Sequence, residues 1–378
     1  MASLSVCLIA RNEEANLPRL LESVRPVADE IVLTDTGSTD RTVAIAREFG
    51  VEPLSFPWCD DFSAARNHSL ARATGDWVLW LDADEQLRPE SAGELRGCIR
   101  QPSADSFLVI HQDLSDEAHP ELFTEMWHMR LFRRLEGLRY VGRCHPHLDP
   151  VSHAQAQALE RDARPSTVRI RHYGYVKPLM RAKLERGVRL LELELRDRPG
   201  QFYYQVELGR TLLALGDARA GGEVLAQAAR TVATARDLLA LGSPLLLLLE
   251  YVLMTPHLPP GFPMTRHLAA NLARQYFPAS PPLLWGRAQW AAAQGEHALA
   301  ASLWEKVLEL GHSGAYDRWV SFEPSIFGPV TYYRLSEAYA RAGRVAQARQ
   351  CLKPLIESPQ HRDEARSFLA RLGEWGPG

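Results

Sequence analysis

Short apolar segments that end in polar or acidic residues recur through the first hundred residues, and this pattern constrains the fold most. Residues 3–10 lead into Arg-Asn-Glu-Glu, residues 30–35 end in Asp35 before Thr-Gly-Ser-Thr-Asp, and residues 76–81 lead into Asp-Ala-Asp-Glu. Amphipathic stretches separate these segments, which predicts an α/β domain with a largely parallel sheet and crossover helices. Ligands bind such sheets at the carboxyl ends of the strands, so we expect the three polar loops to share one crevice.

The other elements of this region follow from the same two periodicities. Further strands are predicted at Val51–Phe56, Ser106–His111 and Trp127–Phe132. Helices are predicted from near Asn16, from Thr39 or Asp40 to Phe49, at Asp61–Ala73 and at Pro89–Ile99.

From about Lys183 onward the chain is rich in Leu, Ala, Arg and Glu without strand patterns, which predicts an all-α half. Three segments align on a turn glycine, with a small residue five positions later and a large one nine positions later. These sets are Gly216, Gly221 and Leu225; Gly295, Ala300 and Trp304; and Gly343, Ala348 and Leu352. The pattern resembles the tetratricopeptide repeat, with insertions because the intervals do not match its period of about 34 residues. A generic helical bundle is the alternative.

Composition and charge narrow the class of protein. The 378 residues carry 43 basic and 46 acidic side chains, a balance that lacks the positive field of a nucleic-acid-binding protein. Five scattered cysteines without a CxxC pair favour a reducing cytoplasm. The longest apolar stretch, Pro244–Met254, contains Glu250 and is shorter than the roughly 20 residues of a membrane span. We expect a cytoplasmic protein with one domain at 1–180 and a second at 181–378.

The order of the three loop motifs resembles that of inverting family 2 glycosyltransferases of the GT-A fold. The resemblance is close over residues 3–84 and looser as far as Tyr175, and the helical half is similar to that of bacterial glycosyltransferases with a C-terminal tetratricopeptide region. It implies a nucleotide-diphospho-sugar donor, UDP-linked by preference, and a divalent cation, Mn²⁺ or Mg²⁺. The donor-binding residues that it implies are Ala10, Arg11, Asn12, Glu13, Asp35, Arg66, Asp82 and Ala83, with Asp84 on the metal.

Two further assignments depend on the same resemblance. His172 matches a position at which GT-A enzymes often supply another metal ligand, although it could instead pack at the domain junction. Relatives commonly have a Gly-x-x-His-Glu segment, whereas here Pro146 follows His145, so the usual carboxylate base is missing. His145 is favoured as the catalytic base and Asp149 is the main competitor. His147 and Glu125 are the other substitutes.

The sequence therefore predicts a metal-dependent, inverting glycosyltransferase whose helical repeats bind a glycan, a peptide or a small-molecule acceptor. The alternative is a non-catalytic helical-repeat scaffold with a degenerate transferase domain. An arginine cluster at 130–143 suits an anionic acceptor, a phospholipid surface or a solvated face. The apolar segment 238–254 suits repeat core or the interface of a homo-oligomer.

Overall fold

The computed structural model describes residues 2–101, 103–149, 154–174 and 177–371. The chain divides into two compact units, residues 1–204 with 214–216, and residues 205–213 with 217–378. The first unit thus extends past residue 180 through a long helix. The division into independent domains at 180 stays a prediction, and Tyr175 lies outside the described residues.

An eight-stranded sheet forms the centre of the first unit, with the strand order β3-β2-β1-β4-β7-β6-β10-β5. A separate two-stranded ribbon pairs β8 with β9. The strands are β1 (Leu4–Ala10), β2 (Glu30–Asp35), β3 (Leu54–Ser55), β4 (Trp77–Trp80), β5 (Glu85–Leu87), β6 (Ser106–Leu114), β7 (Phe123–Arg133), β8 (Tyr140–Val141), β9 (His147–Leu148) and β10 (Arg164–His172). The helices are α1 (Leu17–Val24), α2 (Thr42–Glu48), α3 (Phe62–Leu70), α4 (Ala92–Cys98), α5 (Ala154–Arg161) and α6 (Lys177–Asp197).

The sheet is mixed, which is the main difference from the expected largely parallel arrangement. β1 pairs in parallel with β2 and β4, as the alternation of strands and helices predicts. β7 runs antiparallel to both β4 and β6, and β5 runs antiparallel to β10. β3 shrinks to two residues between Pro53 and Pro57, because proline has no N–H to donate to a neighbouring strand. The predicted helix at 89–99 begins as a 3₁₀ turn at Pro89–Ser91.

One face of β6 and β10 changes from apolar to polar along the strands. Residues two apart share a face of a strand, and the N-terminal positions on this face belong to the apolar core: Phe107, Val109, Val168 and Ile170. The next positions toward the carboxyl ends are His111 and Asp113 on β6 and His172 on β10. Polar side chains therefore cluster at the carboxyl ends of β6 and β10, on a face that is otherwise apolar.

The second unit consists of helices, some joined by short turns and others by longer segments such as residues 255–265 and 314–328. They are α7 (Phe202–Ala214), α8 (Ala218–Thr234), α9 (Ser243–Met254), α10 (Arg266–Tyr276), α11 (Pro281–Ala293), α12 (His297–Ser313), α13 (Pro329–Arg341), α14 (Val345–Cys351), α15 (Lys353–Glu357) and α16 (Arg362–Arg371). The helical half is thus confirmed. Among the residues described, no helix is both long and apolar enough to cross a membrane.

The repeat pattern corresponds to helix pairs. The three aligned glycines all adopt a positive φ in the turns between paired helices, at 91° for Gly216, 79° for Gly295 and 75° for Gly343. Ala300 and Ala348 are fully buried, as expected where two helices pack closely. The leucines of residues 245–249 are also buried, as in a repeat core, whereas Leu239 and Met254 of the apolar segment 238–254 are exposed. The oligomeric state stays a prediction.

Candidate functional site

The loops after β1 and β2 are hydrogen-bonded into one surface. The backbone N–H of Asn12 donates to Ser38 Oγ at 3.0 Å, and Asn12 Oδ1 accepts from the Thr39 N–H at 2.8 Å. The N–H of Glu13 donates to Thr42 Oγ1 at 2.7 Å. Asn12 has a φ of 56°, in the left-handed region that asparagine tolerates better than most residues. These hydrogen bonds therefore hold the two loops together.

Asp35 lies at the end of β2, opposite Ala10 at the end of β1. Its carboxylate accepts from the Gly37 N–H at 3.1 Å and from the Ser38 N–H at 3.2 Å, which fixes its orientation. A carboxylate has about four acceptor positions, so it can accept a further hydrogen bond. Arg11 in the adjoining loop is exposed. The structure thus brings the expected nucleoside-binding residues together at the carboxyl ends of β1 and β2.

Asp82 follows β4 and is held by two arginines. Its Oδ1 accepts from Arg66 Nη2 at 3.1 Å, and its Oδ2 accepts from Arg130 at 3.4 Å. Burial favours the neutral acid, but the charges of Arg66 and Arg130 outweigh it and lower the pKa of Asp82. The Arg66 guanidinium also lies 4.5 Å from the centre of the Trp80 ring. Arg66 is therefore fixed beside the Asp-Ala-Asp loop.

Asp84, two residues further, contacts two cationic groups from distant parts of the chain. Its Oδ2 lies 3.3 Å from His172 Nε2 and accepts a hydrogen bond from Lys183 Nζ at 2.8 Å. Its backbone carbonyl accepts from the Tyr173 N–H at 2.9 Å. Burial would raise the pKa of Asp84, but the hydrogen bond from His172 and the charges of His172 and Lys183 lower it to about 2. Asp84 is therefore a buried carboxylate kept ionised.

Gly174 occupies a position that leaves no room for a side chain beside the tips of Asp84 and His172. A Cβ atom at this glycine would lie 2.2 Å from Asp84 Oδ2 and 2.4 Å from His172 Nε2. Divalent cations bind carboxylate oxygens and imidazole nitrogens at about 2.0–2.2 Å. Asp84 Oδ2 and His172 Nε2 lie 3.3 Å apart, so one ion could bind both atoms at such distances.

Asp113 orients His172 toward Asp84. The Nδ1–H of His172 donates to Asp113 Oδ1 at 2.6 Å, which leaves Nε2 on the Asp84 side. Burial would lower the pKa of His172, but its hydrogen bonds to Asp113 and Asp84 raise it to about 10. Potential ligand atoms of His111, Asp113 and His172 lie within 4.8 Å of one another. The contact between Asp113 and His172 is a hydrogen bond, so we interpret Asp113 as the residue that orients the His172 ring.

Glu85 connects this histidine cluster to the Asp-Ala-Asp loop. Its Oε1 accepts from His111 Nε2 at 2.6 Å and from Arg130 Nη2 at 2.9 Å. Its Oε2 accepts from the Asp82 N–H at 2.8 Å. Its side chain is 1% exposed, so these interactions are shielded from water. Glu85 therefore fixes the loop that carries both aspartates.

The candidate bases lie on or beside the β8–β9 ribbon and on β7. His145 has a φ of 50°, and its ring packs edge-on against Tyr203 with 6.0 Å between ring centres. Asp149 is buried and its Oδ2 accepts from Arg139 Nε at 2.9 Å. Glu125 is a buried residue of β7. The choice of His145 or Asp149 as the base stays a prediction.

Several residues of this site were missed by the sequence analysis: Glu85, His111, Asp113, Gly174 and Lys183. The predicted end of β6 at His111 explains the omission of Asp113, because the strand continues to Leu114. The alternation on β6 was the available signal, since it runs unbroken from Phe107 into the two polar residues. Arg130 does not belong to a solvated arginine face, because its side chain is 8% exposed and pairs with Asp82 and Glu85.

Comparison with known proteins yields one family model and several relatives. Residues 5–146 match the model described as Glycosyl transferase family 2. A TPR repeat-containing protein of Synechococcus elongatus is 41% identical over 232 residues, which are 60% of this chain and 56% of the relative. An uncharacterized glycosyltransferase of Rickettsia felis is 32% identical over 109 residues, 29% of this chain and 38% of the relative.

Two further proteins are similar to this chain over different numbers of residues. The glycosyltransferase SunS of Bacillus subtilis is 27% identical over 209 residues, 54% of this chain and 48% of the relative. A crystal structure of glucosyl-3-phosphoglycerate synthase from Mycobacterium tuberculosis, with Mn²⁺, UDP and glucosyl-3-phosphoglycerate, is 19% identical. The match covers 51% of this chain and 78% of that one, with a TM-score of 0.36. The chain spans 56% of the first relative's length and 38% of the second's.

Proposed function

We propose that this chain transfers a sugar from a nucleotide-diphospho-sugar, with inversion at the anomeric carbon and with the help of a divalent cation. Its residues 5–146 match the Glycosyl transferase family 2 model. One observation carries the proposal. Asp84 Oδ2 and His172 Nε2 lie 3.3 Å apart, close enough for one cation to bind both. In the same sheet, Asp35 ends a strand that pairs with β1, which in turn pairs with β4, the strand before the Asp-Ala-Asp loop.

The nucleoside is assigned to the loops after β1 and β2. Ala10, Arg11, Asn12 and Glu13 would lie beside it, and the Asp35 carboxylate would accept a hydrogen bond from the imide N–H of uracil. A carboxylate accepts hydrogen bonds only, so it favours a base with an N–H donor at that position. This preference supports a UDP-linked donor.

The diphosphate is assigned to the loop after β4. Asp84 and His172 would hold the cation once His172 has released its Nε2 proton, and a mixed oxygen and imidazole ligand set suits Mn²⁺. When bound, the cation neutralises charge that develops on the diphosphate as the glycosidic bond breaks. Arg66 keeps Asp82 ionised and in place, with Asp82 and Ala83 directed toward the ribose. Asp113 holds His172 in the orientation that the site needs.

The transfer step forms a bond between the acceptor's nucleophilic atom and the anomeric carbon, on the face opposite the diphosphate. The bond from this carbon to the diphosphate oxygen breaks, and its electron pair stays on that oxygen. The acceptor's proton goes to a base within about 3 Å of the attacking atom. We assign this role to His145, with Asp149 as the competing choice. The helical unit is assigned to acceptor binding, which covers a glycan, a peptide or a small molecule.

Donor hydrolysis tests the proposal without knowledge of the acceptor. The full chain is incubated with a panel of UDP-sugars and Mn²⁺, and UDP release is measured before and after chelation with EDTA. We expect slow, chelation-sensitive release from at least one UDP-sugar, and loss of that release in Asp84→Asn. Asp105→Asn is the matched control, because Asp105 pairs with Arg133 at the surface and its side chain is 68% exposed. No release from any donor by a folded, Mn²⁺-binding chain would support the scaffold alternative.

A further inference from the structure

The ammonium group of Lys183 contacts Asp84, the carboxylate to which the proposed function assigns a metal ion. Lys183 lies on α6, and its Nζ donates to Asp84 Oδ2 at 2.8 Å. The lysine side chain is 32% exposed and the Asp84 side chain 11%. Asp84 Oδ2 is also the oxygen that faces His172 Nε2. The carboxylate oxygen best placed to bind a cation therefore already has a positively charged partner.

The lysine and a metal ion compete for the same carboxylate oxygen. Lys183 Nζ lies 2.8 Å from Asp84 Oδ2, so an ion bound to that oxygen at about 2.1 Å would lie within about 4.9 Å of the ammonium. An ammonium has three N–H donors and no lone pair, so it cannot act as a ligand of the ion. Two positive charges at such a separation also repel strongly in a partly buried site. A cation that binds Asp84 and His172 must therefore move the lysine away.

We propose that Lys183 is the resident counter-ion of Asp84, that a divalent cation displaces it, and that the displaced ammonium pairs with the diphosphate of the bound nucleotide. The proposal rests on the cation site of the proposed function. It adds a competitor for the metal and a link between metal binding and nucleotide binding.

The chemistry of lysine suits this double role. Its charge is carried on a flexible four-carbon stem, so it can leave one anion for another nearby without movement of its helix. The diphosphate that the cation binds brings negative charge to the same place. Binding of the nucleotide therefore stabilises the displaced position of Lys183, which lowers its competition with the cation. By linkage, Mn²⁺ and UDP each raise the affinity of the protein for the other.

Isothermal titration of Mn²⁺ into the full-length protein tests the displacement. In the absence of nucleotide, Lys183→Met should bind Mn²⁺ about five- to tenfold more tightly than the parent, because no ion pair has to be broken. Lys183→Arg should resemble the parent. Arg181→Met is the matched control. Arg181 is on the same helix, has a side chain that is 78% exposed and pairs with Glu185, so its loss should change Mn²⁺ affinity less than twofold.

The same titrations at saturating UDP test the second half of the proposal. UDP should raise Mn²⁺ affinity by a larger factor in the parent than in Lys183→Met, and the ratio of the two factors should be at least about fivefold. Unchanged or weaker Mn²⁺ binding by Lys183→Met would overturn the displacement. Equal UDP factors in the two proteins would overturn the pairing with diphosphate. The proposed function has a separate readout, because failure of donor hydrolysis leaves these binding constants measurable.

Discussion

Replacement of Gly174 by alanine is the most direct test of the cation site. The added Cβ would lie 2.2 Å from Asp84 Oδ2 and 2.4 Å from both His172 Nε2 and Lys183 Nζ. Real Cβ atoms stay at least 3.0 Å from their neighbours, so the carboxylate oxygen must retreat by about 0.8 Å and the imidazole nitrogen by about 0.6 Å. All three atoms are side-chain tips, and they can move without displacement of the backbone.

The expected loss of metal affinity is large and the loss of stability is small. Metal–ligand distances tolerate about 0.2 Å, so retreats of about 0.8 and 0.6 Å disturb the geometry of both donor atoms. Loss of a residue that merely supports a metal ligand costs 10–100-fold in affinity, so displacement of both ligands should cost more than about 100-fold, or about 2.7 kcal/mol. Crowding by one methyl group costs about 1–3 kcal/mol of folding stability, and the mobility of the contacted atoms favours the low end.

The assay compares Mn²⁺ binding by calorimetry with thermal unfolding of the same preparations. Gly97→Ala is the matched control, because Gly97 lies in α4 and a Cβ there would meet nothing within 4 Å. This control should retain Mn²⁺ affinity and gain up to about 1 kcal/mol of stability from the higher helix propensity of alanine. Parental Mn²⁺ affinity in Gly174→Ala would refute the placement of the ion beside Asp84 and His172.

Three further results are expected. Asp113→Leu should weaken Mn²⁺ binding about 10–100-fold, because the His172 ring loses the hydrogen bond that orients it. Asp113→Asn should retain most of the affinity, because its amide oxygen can accept the same hydrogen bond. Equal losses of affinity in the two variants, measured by calorimetry, would contradict this role of Asp113. Trp304→Ala should lower the free energy of unfolding in guanidinium by about 3–5 kcal/mol, because Trp304 is 2% exposed. Trp319→Ala should lower it by only about 0.5 kcal/mol, because Trp319 is 44% exposed. Similar losses in the two variants would refute the predicted packing. Burial raises the pKa of Asp317 from 3.8 to about 6, so the folded protein retains this proton across a window in which the unfolded chain releases it, and stability falls as pH rises through that window. The free energy of unfolding of Asp317→Asn should therefore exceed that of the parent by about 1–3 kcal/mol at pH 8 and nearly equal it at pH 4. A difference that does not change with pH would contradict the raised pKa of Asp317.

The sequence by itself determined the elements whose signals are local. β2 spans Glu30–Asp35 as predicted, because a run of apolar residues with a polar end is readable without knowledge of its neighbours. The turn glycines and small residues of the helical unit followed from a periodicity within single helix pairs. Asp82 and Asp84 were located because acidic residues directly after an apolar strand are unusual in a core.

Tertiary structure alone decided which of these elements lie side by side. Periodicity shows which side chains share a face, but it contains no information on which strand lies next to which. The antiparallel insertion of β7 between β4 and β6 was missed for that reason. β5 and β10 were not predicted as strands at all. The base for the acceptor's proton stays a prediction from the family resemblance.

The cation site depends on both kinds of information. Asp84 and His172 were inferred from the resemblance, whereas the contact of Asp84 with Lys183 joins residues 99 apart in the sequence. Asp113 lies 59 residues from His172 and reaches it only because β6 and β10 pair in parallel with these two residues in register. Hydrogen bonds and ion pairs act over about 3 Å in space, so separation along the chain does not reveal them before the sheet is assembled.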